Sequence, residues 1–335
     1  MVNTFIGGVT RANVLELLKH KNAEQNLKCL DWLSATTYAD KQFGNIKLHQ
    51  PGTREWFLKS PEFQTWIEGS EQTLLCTGIP GAGKTILASI AIDELESRHG
   101  NNPDIGIAYI YCSFQRHEDQ SQTLESLLGC LLRQLIQGLQ PVPNSIQALY
   151  DKHRMKGTRP KYGELSGVFS SIFCLFSQCF IVVDALDECD FVTISRLLDD
   201  ILDFQWLTKL NLLATSRFIP EIVTKFHGKP SQEIRAARPD VTRYLNANLN
   251  RFLGFVSRDL QLQQEITTGI TDAIDGMFLL AKLHLEAMMG KISARQIRRE
   301  LAELTTGSHA YDLAYEKAMQ RIEGQAPDQR LLASN

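Results

Sequence analysis

A chain of 335 residues, 43% hydrophobic and 22% charged, has the composition of a soluble globular protein and room for about two domains with cores of their own. A formal net charge of −3 gives no basic field, which argues against nucleic acid as a partner. Seven cysteines without a Cys-x-x-Cys pair argue against a zinc site and for reduced, buried thiols, and neither a signal peptide nor a bilayer-length apolar run is visible, so the cytoplasm is expected and a membrane is not.

Residues 11–34 carry Val14, Leu15, Leu17, Leu18, Leu27, Leu30 and Leu33 near a 3.6 period, which predicts an amphipathic helix packed on its own domain or a neighbour. A polar linker over 45–52 ends in Pro51-Gly52. Thr53 to Trp66 gathers Trp56, Phe57, Phe63 and Trp66 around Ser60-Pro61, a helix start with Pro at the first helical position. These aromatics read first as core packing and, alternatively, as a wall beside a nucleotide base.

Residues 74–85 read Leu-Leu-Cys-Thr-Gly-Ile-Pro-Gly-Ala-Gly-Lys-Thr. A short apolar strand runs into Gly78, Gly83, Lys84 and Thr85 at G-x-x-x-x-G-K-[ST] spacing, and Ile86-Leu87-Ala88 open a helix. The spacing suits an anion. Glycine lets the backbone of Gly78, Ile79, Pro80, Gly81, Ala82 and Gly83 approach a phosphate closely. Exposed N–H groups and the positive end of the helix then cradle its oxygens. Lys84 supplies a cation for the outer phosphates, and the Thr85 hydroxyl is suited to Mg²⁺.

The following helix runs to about His99 and stops at Gly100-Asn101-Asn102-Pro103. Ile105 to Phe114 reads as a strand and Gln120 to Gln137 as an amphipathic helix. A break at Gln140-Pro141-Val142-Pro143 precedes a shorter helix and a basic stretch over Lys152–Lys161, read as a solvated connection. Cys179 to Asp190 form an apolar run closed by acids, which predicts a buried parallel strand whose carboxyl end meets a site. Asp184 fits a magnesium acid. Glu188 is suited to orienting or deprotonating an attacking water, with Asp187 sharing that work or binding magnesium. The simpler alternative, acids favouring a first helical turn, suits Asp190 well and Asp184 badly. Asn211 to Thr215 is a further strand followed by Arg217, which reads as a sensor of the terminal phosphate or as a carboxylate-paired surface cation.

Gly-Ile-Pro-Gly-Ala-Gly-Lys-Thr, Phe-Ile-Val-Val-Asp-Ala-Leu-Asp-Glu and Leu-Leu-Ala-Thr-Ser-Arg together closely resemble the NACHT family, a branch of the STAND signalling ATPases that includes NOD-like receptors. The nearest likeness is to fungal-type, nephrocystin-like members, which share a Trp-rich lead-in. The resemblance implies an α/β P-loop NTPase fold with a parallel sheet of order 5-1-4-3-2 flanked by helices, and then a helical lid. It assigns Lys84 and Thr85 to phosphate and Mg²⁺, Asp184 to Mg²⁺, Asp187 and Glu188 to hydrolysis, and Arg217 to sensing. Phe278 stands where related receptors carry the proline of a Gly-x-Pro turn beside adenine, so the usual base contact is replaced, with stacking on the Phe face as the substitute.

The expected organisation is an N-terminal helix and linker over 1–50, the nucleotide-binding domain over 51–237, the lid over 238–325 and the start of a winged-helix region over 326–335. Val241–Phe252, Leu260–Ile274, Met277–Met288, Ala294–Leu304 and Tyr311–Ile322 carry helical spacing suited to the lid. No repeat of ankyrin, tetratricopeptide or WD40 period is visible, and the chain reads as a fragment or a truncated product. The expected function is an ATP/ADP switch with slow Mg²⁺-dependent hydrolysis, self-association in the ATP state and signal transduction. The alternatives are a steadily turning remodelling ATPase and a scaffold that nucleotide merely stabilises.

Overall fold

A computed structural model describes residues 24, 26–114, 122–139, 141–205 and 208–304. The helix expected over 11–34 is therefore seen only from Glu24 onward. The helix expected over Tyr311–Ile322 and the winged-helix start at 326–335 lie outside the described residues.

Five strands form one sheet in the order β2-β3-β4-β1-β5: β1 (Thr73–Thr77), β2 (Ile105–Tyr111), β3 (Gln178–Asp184), β4 (Leu210–Ser216) and β5 (Ser231–Glu233). Both registers that define its two ends are parallel, Ile105↔Gln178 through Tyr111↔Asp184 and Leu75↔Ser231 through Thr77↔Glu233. The order is the expected 5-1-4-3-2. Strands β1 and β4 are buried along their whole length, and β3 at all but its first residue, as befits continuous apolar runs in a parallel sheet covered on both faces.

The chain divides into two compact units. The first takes its described residues from 1–41, 69–72 and 94–213. It holds β2, β3 and α5 (Leu124–Gln137), α6 (Asn144–Lys156), α7 (Tyr162–Phe173) and α8 (Phe191–Gln205). Helix α5 starts where Thr123 accepts the Ser126 N–H at 3.3 Å, and it buries Leu127, Leu128, Leu131, Leu132 and Leu135. The basic stretch over 152–161 is not a loop throughout. Its first half continues α6 to Lys156, where Gly157 ends the helix, and Glu164 of α7 ties it down through Lys152 Nζ at 2.6 Å and His153 Nε2 at 3.1 Å. Those bonds hold the Glu164 carboxyl at about 2, with Lys152 the largest cause.

The second unit contains 42–68, 73–93 and the chain from 214 on. It begins within α1 (Ala39–Leu48) and includes α2 (Glu55–Leu58), α3 (Pro61–Glu68), β1, most of α4 (Lys84–His99), α9 (Pro220–Lys225) and β5. Ser60 caps α3 by accepting the Phe63 N–H at 3.2 Å, with Pro61 first in the helix as expected. Then follow α10 (Arg238–Asn248), the short α11 (Gly254–Ser257), α12 (Leu260–Ala273), α13 (Phe278–Met289) and α14 (Ala294–Ala302). Their inward faces share one apolar core: Val241 and Leu245 of α10, Ile266 and Ile270 of α12, Leu285 of α13 and Ile297 of α14 are all fully buried. The helical spacing read from the sequence is this face.

Candidate functional site

The loop after β1 is built on backbone bonds. Gly78 N–H donates to the Ser216 carbonyl at 3.2 Å, Ile234 N–H to the Thr77 carbonyl at 2.6 Å, and Ala82 N–H to the Ile79 carbonyl at 3.2 Å. Gly81 and Gly83 have φ of +71° and +96°, which only glycine adopts freely. A Cβ on Gly81 would stand 2.8 Å from Leu279 Cβ, and one on Gly83 would overlap the Arg54 guanidinium. Lys84, the first residue of α4, turns its ammonium back over the loop and donates to the carbonyls of Gly78 at 2.8 Å and Ile79 at 3.1 Å. Pro80 is exposed, Ala82 buried, and Thr85 and Ile86 half-buried in the first turn of the helix. Every phosphate-loop residue named from the sequence thus falls on one strand–turn–helix.

Two neighbours of this loop come from far along the chain. The Leu279 N–H, in the first turn of α13, donates to the Gly81 carbonyl at 3.0 Å. Arg54, buried and left-handed at φ 64°, donates from its guanidinium to the Gly83 carbonyl. The Arg54 backbone N–H and Trp56 Nε1 both donate to Asp240 Oδ2, at 2.9 and 3.1 Å. Burial lowers the Arg54 pKa to about 10, partly opposed by Asp240, so the side chain is cationic at neutral pH. Its guanidinium lies 5.4 Å from the centre of the Phe278 ring, which also meets Tyr244 edge-on at 5.0 Å. Sequence reasoning passed over Arg54 and Asp240. Of the four lead-in aromatics, Phe57, Phe63 and Trp66 are core, in tilted ring contact at 4.8 and 5.5 Å, and Trp56 makes the polar contact with Asp240.

The acids form their own group in the first unit. Asp184 closes β3 and is 1% exposed. Ala185, left-handed at φ 59°, turns the chain into one turn of 3₁₀ helix over Leu186–Glu188, with the Glu188 N–H on the Ala185 carbonyl at 2.8 Å. Asp187 and Glu188 are half-buried. The Glu188 carboxyl is pushed above the usual range by burial first, then by Asp187 and Asp184, and Lys41 and the Phe114 N–H pull it down. Asp190 accepts the Thr193 N–H at 2.9 Å and starts α8, the simple role the sequence allowed it. Cys112, the first residue after β2, and Cys189, at the end of the turn, are both buried. The mutual influence of the two thiols raises the Cys112 pKa and lowers that of Cys189. Arg217 follows β4 directly and is half-buried.

Asp184 and Asp187 stand close enough to Glu188 to raise its pKa, a concentration of negative charge that suits a divalent cation. Among the described residues no group of three or more His, Cys, Asp or Glu is arranged to hold a metal ion. Mg²⁺ takes one or two protein oxygens and completes its shell with waters and phosphate, and the Asp184 carboxylate at the end of β3 is a donor of the kind it takes. No helix of the described residues is long and apolar enough to cross a membrane.

Residues 52–217 match the family model described as nephrocystin 3, N-terminal. The vegetative incompatibility protein HET-E-1 of Podospora anserina is 24% identical over 291 residues, covering 82% of this chain and 21% of that protein, so the chain spans about a fifth of that relative's length. Among solved structures, domain III of the Thermotoga maritima replication initiation protein DnaA aligns with TM-score 0.41 and 11% identity, over 78% of this chain and 97% of that one. AMPPCP-bound DnaA from Aquifex aeolicus aligns with TM-score 0.39 and 13% identity, over 83% and 71%. Both of these likenesses are too loose to bear on function. The family match and the relative, falling on the strand–loop–helix and acid turn described above, identify a NACHT-like P-loop NTPase domain of the nephrocystin 3 N-terminal type in this chain.

Proposed function

We propose that the chain is a nucleotide-operated signalling switch that binds ATP and ADP with Mg²⁺ and hydrolyses ATP slowly. The observation that carries this reading is the loop itself, with glycines where any Cβ would collide and Lys84 held over it by two of its own carbonyls. In this reading residues 78–86 bind the phosphates through loop N–H groups, the α4 N-terminus and the Lys84 ammonium. Arg54 adds positive potential at the same loop. Thr85 and Asp184 hold Mg²⁺, which when bound neutralises charge on the phosphates. Glu188, ionised, takes the proton of the attacking water, Asp187 orients it, and Arg217 senses the terminal phosphate. Phe278 borders the base.

The switch lies in the Leu279–Gly81 hydrogen bond. ADP favours the state that keeps the start of α13 on the loop. ATP opens the lid to the extent that its γ-phosphate is better bound once that contact is broken. The open form associates with copies of itself and passes on a signal of the kind named for the vegetative incompatibility relative, in the cytoplasm and without nucleic acid or membrane as partner.

The test is to identify the nucleotide that co-purifies with the protein, then to measure its mass by light scattering with ADP and with a non-hydrolysable ATP analogue. ADP in the purified protein, a larger mass with the analogue, and loss of both in Lys84→Ala are expected. Rapid steady turnover without a change of mass refutes the switch.

A further inference from the structure

The seam between α10 and α12 holds a cleft of about 420 Å³, within the range of small-molecule sites. Four-residue spacing puts Arg238, Thr242 and Asn246 on one face of α10, and Gln263, Thr267 and Thr271 on one face of α12. These two faces are the walls, and Leu249 and Leu260 line the same cleft. The walls are tied together where Thr267 Oγ1 donates to Asn246 Oδ1 at 3.2 Å, and the Gln263 amide donates to the Val256 carbonyl at 2.9 Å. The cleft uses no residue of the phosphate loop or of the acid turn.

Thr271 is 5% exposed, and its hydroxyl oxygen is buried with no hydrogen-bond partner among the described residues. Other helical hydroxyls of this unit turn back on their own helix. Ser89 donates to the Thr85 carbonyl at 2.9 Å and Thr224 to the Pro220 carbonyl at 2.8 Å. Thr271 forgoes that bond. A buried hydroxyl left unpaired is destabilising, so its place on the wall of a cleft calls for a use outside the fold. The cleft is also electrically neutral. Among its described residues there is no carboxylate, and the Arg238 guanidinium is matched by Asp272 at 2.5 Å.

We propose that this cleft binds an uncharged saccharide. Threonine hydroxyls and the amides of asparagine and glutamine both donate and accept, as sugar hydroxyls do. Leu249 and Leu260 offer apolar surface to the C–H faces of a sugar ring. Rotation about χ1, between the two rotamers that threonine takes in a helix, brings the Thr271 hydroxyl to the ligand. An anion would have to displace Asp272 from Arg238. An extended peptide finds no strand edge to pair with, because both walls are helices whose main chain is bonded internally.

Saturation-transfer NMR on the full chain tests this with glucose, N-acetylglucosamine and maltose, and with a blocked glycine–serine–glycine peptide as the rival. Transfer to at least one of the sugars is expected, and titration then gives its affinity. Thr271→Val removes the hydroxyl and nearly keeps the shape. It should weaken sugar binding about tenfold, as for one lost hydrogen bond. The sugar-free variant should melt no lower than wild type, because no bond within the described protein is lost. Gln264→Ala, an exposed change on the same cleft that leaves the fold intact, should weaken binding as well. The proposal is overturned by absence of transfer to all three sugars, by transfer to the peptide in their place, or by sugar binding that either variant leaves unchanged. A Thr271→Val protein that melts below wild type assigns the hydroxyl to the fold, and overturns it too.

Discussion

Asp240→Ala tests whether the lead-in segment is locked to α10 as the geometry implies. Asp240 is 8% exposed, and one oxygen receives both the Arg54 backbone N–H at 2.9 Å and Trp56 Nε1 at 3.1 Å. A hydrogen bond to a charged acceptor contributes about 1.5–3 kcal/mol, so removing the carboxylate forfeits about 3–6 kcal/mol gross. Relief of carboxylate desolvation and water entering the vacated space return part of this, for a net loss of about 2–4 kcal/mol. The Arg54 backbone sits at φ 64°, a conformation that costs about 1–2 kcal/mol and that the bond to Asp240 holds in place. With Asp240 gone that strain has no counterpart. Asp240→Asn keeps an oxygen acceptor and loses only the charge, and should cost about 1 kcal/mol. The assay is urea unfolding followed by tryptophan fluorescence, with the midpoint and slope both fitted. Loss of Asp240 lets the Arg54 pKa sink further below about 10, but Arg54 stays charged at neutral pH, so its ionisation does not account for the effect. An Asp240→Ala protein within 0.5 kcal/mol of wild type would refute the lock.

Gly81→Ala places a methyl 2.8 Å from Leu279 Cβ and 2.9 Å from Met277 Cγ at a φ of +71°. Left-handed strain and overpacking together should cost about 2–4 kcal/mol and weaken ADP binding by at least about tenfold, read by calorimetry. Burial, Asp187 and Asp184 hold the Glu188 carboxyl above the usual range while Lys41 lowers it. A general base works only when ionised, so the acid limb of ATP turnover should lie above the ordinary glutamate range, and Lys41→Met should move it to higher pH. A limb that stays put or falls removes Lys41 from the acids.

Strands β1, β3 and β4 were legible because each is an apolar run buried on both faces. Strand β5 was not. It is Ser-Gln-Glu at the edge of the sheet, exposed at both ends, and it pairs with β1 through backbone alone. The phosphate loop and the acids stood out because their chemistry is local, each within about a dozen consecutive residues. Arg54 and Asp240 are 186 positions apart, and neither segment has a periodicity that points to the other. The basic stretch over 152–161 misled for a related reason. Its charges suggested a solvated loop, whereas Glu164, in the next helix, neutralises its first turn and lets α6 run on to Lys156.

Phe278 shows how a departure from a family pattern can leave the backbone unchanged. It is the first residue of α13. At that position the N–H has no partner within the helix and the φ of proline is already the helical one, so proline is welcome there. A Gly-x-Pro turn and Gly276-Met277-Phe278 therefore deliver the same helix start, with Gly276 at φ 79° making the turn in this chain. The next N–H, that of Leu279, is the one that reaches the Gly81 carbonyl. The start of α13 thus meets the phosphate loop through main chain, independent of the side chain at 278. What the side chain adds is a ring between the Arg54 guanidinium and Tyr244, a contact proline cannot make. Phe278 leaves the main-chain contact between α13 and the loop intact and adds a ring contact with the cation that stands beside Gly83.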